Sequence, residues 1–285
     1  MKEISIIIAT YNASKTLLKC LDSIVPQLTD ECELVIVDGG SKDNTNDIIR
    51  EYCDKLSIYI SEPDNGIYDA WNKGVKLSNG RWVMFIGADD ILLPGAIDSY
   101  LKFISSVKDI EGYDYICALN EHVDKNGKLL QIIGSEPKWS LYRKSMNAAH
   151  VASLHNKHNL FESIGYFDLN YRICADYDLL LRKRNDLRWL FIPVHIARMQ
   201  VGGMSFSFKA IFETYHIRKK NRSVSNTHNI YLLIINTLAY YRFRIKNNLI
   251  GKKNMTYLTI AIIVLVFFKD FIVVFFTFSY CKVLF

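Results

Sequence analysis

The stretch EPDNGIYDAWNKGVKLSNGRWVMFIGADD, residues 62–90, decides how the rest of the chain reads. It opens on Pro63-Asp64-Asn65-Gly66, residues that favour a turn. The spacing then predicts a helix from Ile67 to Leu77, closed by Asn79-Gly80. An apolar strand follows, Trp82–Ile86, and ends in Gly87-Ala88-Asp89-Asp90. Two adjacent carboxylates at the end of a buried strand are costly without a cation or hydrogen-bond donors. Ligands of open α/β sheets bind at that end of the strands. Asp89 therefore reads as a divalent-metal ligand, with Asp90 as a second metal candidate.

Upstream, Ile4–Ala9 and Glu33–Asp38 are short, nearly continuous apolar runs, the pattern of strands covered on both faces. Between them lie a loop, Thr10–Ser14, and a helix expected from Lys15 to about Gln27 with Ser14 as its N-cap. A polar turn over residues 39–45 leads to a helix over 46–55 and a strand over 56–61. Strands alternating with helices imply right-handed parallel crossovers, hence an α/β fold with a mostly parallel sheet flanked by helices. Downstream, a helix is expected to Val107, a strand over 113–119, and a hairpin through Asp124–Lys128 into Leu129–Ile133. Residues 136–160 read as mixed loop and strand, 161–165 as short helix. Ala175–Arg184 reads as a helix with acids in its first turn and bases in its last. Trp189–Pro193 is strand-like, and Gly202-Gly203-Met204-Ser205 reads as an ordinary tight turn or a lid.

The chain has 285 residues, half of them hydrophobic, and a net charge of +6. Residues 209–285 carry twelve Lys and Arg against two acids, whereas residues 1–208 carry 23 against 27. The organisation expected is a domain over 1–208, a basic helical linker over 209–254 and an apolar segment over 255–285. In the last, two apolar runs are split by Lys269-Asp270, which suits an interfacial or re-entrant membrane anchor as well as a span. An apolar core helix is the plainer reading. The adjoining bases favour the cytoplasmic side of the cell membrane. Nucleic acid is not expected as a partner, since no groove-reading or base-stacking motif accompanies the charge. No signal peptide opens the chain, and the six cysteines lack metal-ligand spacing, as in a reducing compartment.

Three predicted strands end in polar groups at one edge: Thr10-Tyr11, Asp38 and Asp89-Asp90. A single Asp is most often a loop cap or a solvated acid. The set suggests a nucleotide diphosphate held through Mn2+ or Mg2+. In five blocks the sequence resembles the family-2-type inverting glycosyltransferases of GT-A fold, similar to enzymes of bacterial polysaccharide and O-antigen biosynthesis. These are residues 7–12, 37–45, 65–74, 87–90 and 165–182, each a weak signal alone and a specific one in this order.

The resemblance implies that Thr10 and Tyr11 cradle base and ribose, that Asp38 bonds the nucleobase and that Asp69 lies near the nucleotide. It places Asp89 at the metal-binding acid of the family's DxD signature and Asp176 at the catalytic base. Lys73 and Arg182 are lesser candidates, for diphosphate charge or for holding loops. The sequence departs from the pattern at Gly87, where DxD has its first acid, and at Ala175, before the base. Trp71 stands where the family often has Arg, with consequences expected for diphosphate contacts.

The implied reaction is direct displacement at the anomeric carbon of a nucleotide-sugar donor, with Asp176 taking the acceptor's proton. A glycan or lipid-linked glycan is the expected acceptor. His150 reads first as a structural histidine and second as lining the acceptor site. A sugar nucleotidyltransferase is disfavoured because the 10–14 loop has no glycine. A catalytically degenerate membrane scaffold is motivated by Gly87 and Ala175 and opposed by Asp38, Asp89 and Asp176.

Overall fold

A computed structural model describes residues 2–146, 151–203 and 207–246. The strands are β1 (Ile4–Thr10), β2 (Cys32–Asp38), β3 (Ile58–Ser61), β4 (Trp82–Gly87), β5 (Ile91–Leu92), β6 (Tyr115–Val123), β7 (Leu129–Ile133), β8 (Leu154–Asn156) and β9 (Trp189–Gln200). The helices are α1 (Leu17–Ile24), α2 (Thr45–Glu51), α3 (Ile67–Leu77), α4 (Ala96–Ser106), α5 (Trp139–Tyr142), α6 (Ala175–Arg182), α7 (Phe208–Lys220) and α8 (Asn226–Lys246). Residues up to Ser225 form one compact unit and those from Asn226 another. Helix α7 belongs to the first unit.

The strands join in one sheet of order β3-β2-β1-β4-β8-β6-β9-β5, with β7 paired to β6. Strands β3, β2, β1 and β4 are parallel neighbours, as their intervening helices require. The remainder corrects the mostly parallel expectation: β8 runs antiparallel to β4 and β6, and β5 antiparallel to β9, while β6 and β9 are parallel. The sheet is mixed because β8 inserts between strands far from it in sequence, a pairing no local pattern announces. Ser14 does not cap α1. Its amide instead donates to Asp43 Oδ2 at 3.1 Å, and the helix starts two residues beyond the predicted Lys15.

Apolar layers cover both faces. Ile4, Ile6 and Ile8 face α1 and α4, whereas Ile7, Val35 and Val37 face α3 and α6. All six are fully buried, each worth about 1.5–3 kcal/mol. Helix α3 lies close on the sheet because Gly74 has no side chain: a Cβ there would meet Ile7 Cγ2 at 2.4 Å. Gly74→Ala is expected to destabilise the unit by about 1–3 kcal/mol through overpacking, read as a lower urea midpoint with unchanged slope. A change below about 0.5 kcal/mol would disprove the close packing.

Candidate active site

The register aligns Thr10 with Asp38 and Asp38 with Ser61, while Ala9 pairs with Gly87. The carboxyl ends of four parallel strands therefore form one rim. The loops leaving β1 and β2 are stitched across it. Asn12 donates its amide to Ser41 Oγ at 2.8 Å and accepts from the Lys42 amide at 2.8 Å. The Ala13 amide donates to Thr45 Oγ1 at 2.8 Å. Asn12 adopts φ 48°, a left-handed backbone held by these bonds.

Asp38 is the knot of this rim. It is fully buried. One oxygen accepts from Thr10 Oγ1 at 3.0 Å and from Ser41 Oγ, the other from the amides of Gly40 (3.1 Å) and Ser41 (2.9 Å) and from Ser61 Oγ (2.6 Å). Burial alone pushes its carboxyl up, but the Ser41 and Ser61 hydroxyls and the other donors outweigh burial and hold it below the usual range. The carboxylate is saturated by the protein and shapes the 39–41 turn, as does the buried Thr10.

Over the rim lies a cavity of about 730 Å³ lined by residues that include Thr10, Tyr11, Gly39, Gly40, Lys42, Asp64, Gly66 and Arg172. Its size falls in the usual range for small-molecule sites. Tyr11 is 65% exposed, a ring presented at the opening. Asp64 Oδ1 accepts the Gly66 amide at 2.8 Å, and Gly66, at φ 107°, takes a backbone conformation that glycine alone adopts without strain. Asp69, in the first turn of α3, accepts from the Asn65 amide at 2.9 Å and from its side chain at 3.2 Å. Lys73 binds Glu62 at 2.8 Å and the Pro63 carbonyl at 3.2 Å. Asp69 and Lys73 thus fasten the 62–66 turn that walls the cavity. Arg172, which no motif singles out, donates to the Asn65 carbonyl at the wall.

At the end of β4 the two acids differ. Asp89 is exposed. Asp90 is 5% exposed and its Oδ2 accepts the Gly87 amide at 3.0 Å. Burial, then the charge of Asp89, pushes the Asp90 carboxyl up to about 8, against the lowering effect of the Gly87 amide. A Cβ at Gly87 would sit 2.9 Å from Asp90 Oδ2 and 3.0 Å from Asp89 Oδ1. A side chain at position 87 would have to displace the tips of these two carboxylates. Among the described residues no group of three or more His, Cys, Asp or Glu is placed to hold a metal ion, so the acids do not converge on one cation as expected. The pair still fits a divalent ion: an exposed carboxylate beside a desolvated one has no cation paired with it among the described residues, and Mg2+ or Mn2+ needs only one or two carboxylates when phosphates supply the rest.

Asp176 lies in the first turn of α6, 4% exposed. Tyr68 Oη from α3 lies 2.9 Å from Asp176 Oδ1 and 2.6 Å from the Ile173 carbonyl, sharing one proton between them. Burial, then the charge of Asp176, keeps Tyr68 well above the usual tyrosine range, so it remains a donor. Asp178 is committed elsewhere, accepting from Arg182 Nε (2.8 Å) and Nη2 (2.6 Å) and from Asn221 (2.8 Å). Arg182 also donates to the Tyr166 carbonyl at 2.8 Å, so it holds loops. Ala175 is fully buried, where an acid would be left in an apolar layer. Trp71 packs on Phe85 at 4.9 Å and Tyr68 at 5.4 Å, a core ring and no substitute for a phosphate-binding Arg. His150 and Met204-Ser205 lie outside the described residues.

A strand-end rim, a cavity over it and a carboxylate on the neighbouring helix define an α/β enzyme of the GT-A type. The chain belongs to glycosyl transferase family 2, whose model matches residues 5–164, and is a glycosyltransferase. It is 34% identical over 181 residues to a PGL/p-HBAD biosynthesis glycosyltransferase of Mycobacterium tuberculosis, covering 62% of this chain and 68% of that one. An uncharacterised glycosyltransferase of Rickettsia prowazekii is 28% identical over 185 residues, covering 62% and 57%. In fold the chain is similar to S. aureus TarS 1–349 in complex with UDP-GlcNAc, with TM-score 0.62, 17% identity and 86% and 73% of the two chains covered. It is also similar to the mannosyltransferase PcManGT of Pyrobaculum calidifontis in complex with GDP-Man and Mn2+, with TM-score 0.60, 15% identity and coverage of 94% and 81%.

Proposed function

We propose that the chain moves a sugar, with inversion, from a nucleoside-diphosphate sugar to a hydroxyl of a lipid-linked glycan acceptor during cell-surface polysaccharide synthesis. The observation that carries this reading is the cavity at the strand ends, bounded by Lys42 and Arg172 and joined through α3 to Asp176. The donors in the TarS and PcManGT complexes, and the biosynthetic names of the mycobacterial relatives, support it.

The cavity takes the nucleotide, with the Tyr11 ring at its opening and the cations of Lys42 and Arg172 toward the diphosphate. Asp89, beside Asp90, would hold Mn2+ or Mg2+, which supplies neutralisation of the leaving diphosphate. Tyr68 fixes the Asp176 carboxylate, which takes the proton of the acceptor hydroxyl as that oxygen attacks the anomeric carbon. One base and one displacement invert the configuration.

Release of nucleoside diphosphate from a panel of nucleotide sugars, with and without Mn2+, tests the reading. No metal-dependent release from any donor would refute it. Asp89→Ala is expected to weaken Mn2+-dependent donor binding by about tenfold or more, the loss of one charged contact, while metal-free nucleotide binding changes little. Equal Mn2+ enhancement in variant and parent would remove Asp89 as the ligand.

Residues 247–285 lie outside the described residues, and no described helix is long and apolar enough to cross a membrane. The membrane association proposed for 255–285, on the cytoplasmic side, rests on its apolar runs and adjoining bases. Co-sedimentation of the full chain with anionic vesicles, lost on truncation after residue 246, is its test.

A further inference from the structure

The backbone leading into α6 is held by a residue forty positions away. The N-cap of this helix, Cys174, makes no side-chain capping bond. Its place is taken by Glu213 of α7. Oε1 accepts the Arg172 amide at 3.0 Å, and Oε2 accepts the amides of Ile173 at 2.9 Å and Cys174 at 3.0 Å. Three consecutive amides converging on one carboxylate form an anion-binding nest, filled here from within the chain. The thiol of Cys174 also donates to the Ala210 carbonyl at 3.7 Å, one turn before Glu213 on the same helix.

The opposite side of this short segment is fixed by Tyr68, which binds the Ile173 carbonyl and Asp176 together. Asp176 follows two residues after the last amide that Glu213 holds. Arg172, whose amide Glu213 takes, reaches the Asn65 carbonyl at the cavity wall. One carboxylate thus sets the backbone that carries both the base and a basic wall of the donor cavity. Few side chains of α7 are buried; Ala210, Ile217 and Arg218 are those that are. Polar bonds supply much of its attachment, and Glu213 is the one aimed at the reacting end of α6.

We propose that Glu213 is the positioning residue of this active site. It sets the start of α6 so that Asp176 meets Tyr68 and the acceptor hydroxyl, and it makes α7 part of the catalytic unit. The inference rests on Asp176 being the base. Two oxygens are needed, because the three donors are split between them. A Gln would turn an amide N–H toward amide N–H groups and lose at least one bond.

Glu213→Gln in the full chain is the experiment, with hydrogen exchange and kinetics read on the same sample. Exchange of amides 172–174 is expected to accelerate at least tenfold, with amides of β1 and β2 unchanged. The kcat for sugar transfer is expected to fall tenfold or more, and nucleoside-diphosphate affinity to fall by less, since Arg172 keeps its side-chain bond to the Asn65 carbonyl. In an Asp176→Asn background the same change should lower the residual rate less than twofold, because the group being positioned is gone. A general structural defect would instead lower the residual rate again and speed exchange throughout the unit. Either result overturns the proposal, as does parental exchange at 172–174. Should the parent transfer no sugar, the glycosyltransfer reading fails, and exchange still decides whether Glu213 holds the segment.

Discussion

Asp176→Asn is expected to lower the rate of sugar transfer by about 10²–10⁴-fold, the usual contribution of a general base. The substitution preserves shape. Asn Oδ1 accepts the Tyr68 hydroxyl as the carboxylate does at 2.9 Å, so α3 and α6 stay in register. Only the capacity to take a proton is lost. Donor affinity, set by the cavity wall and by Asp89, is expected to remain within about twofold of the parent. The neighbouring acid offers no substitute, because Asp178 is fully buried and bound to Arg182 and Asn221. Steady-state transfer and nucleotide titration, run on both proteins, check this. Turnover within threefold of the parent would sink the assignment of the base.

The second large effect is on stability and on the donor cavity together. Asp38→Asn is expected to cost about 2–4 kcal/mol, since hydrogen bonds to a buried charge contribute more than neutral ones and a turned amide leaves donors unpaired. The donors affected are the amides of Gly40 and Ser41 and the hydroxyls of Thr10, Ser41 and Ser61. The 39–41 turn lines the cavity, so nucleotide affinity falls as well. The pH dependence has a definite sign. The folded-state pKa of Asp38 is depressed, so its contribution is present above the unfolded value of about 3.9 and is lost as pH falls through the folded one. The parent should therefore lose stability on acidification below about pH 4 more steeply than the Asn variant does. Urea midpoints between pH 3 and 7 test it. Parallel acid limbs in the two proteins would show that Asp38 carries no linked proton.

Four of the positions carried over from the family pattern make structural bonds within the chain. Thr10 and Asp38 brace one turn, and Lys73 with Asp69 fastens another. The family departures also have local causes: Gly87 keeps a Cβ away from two carboxylates, and Ala175 keeps charge out of an apolar layer. Residues that the sequence reading missed, Tyr68, Arg172 and Glu213, carry no local signal. A tyrosine on a buried helix face reads as core, and an exposed Arg or Glu reads as solvated surface.

By itself the sequence determined the parallel half of the sheet, helix α3 with both its bounds, the hairpin strand β7 and the edge where the acids gather. Those features follow from hydrophobic period and turn chemistry, which act over a few residues and are written in order along the chain. Only the tertiary structure decided that the other half of the sheet is antiparallel in part, that Asp38 is sealed by five donors and that Glu213 of α7 holds the backbone leading into α6. Each depends on groups tens of residues apart meeting in space, and such meetings are set by how the apolar faces pack.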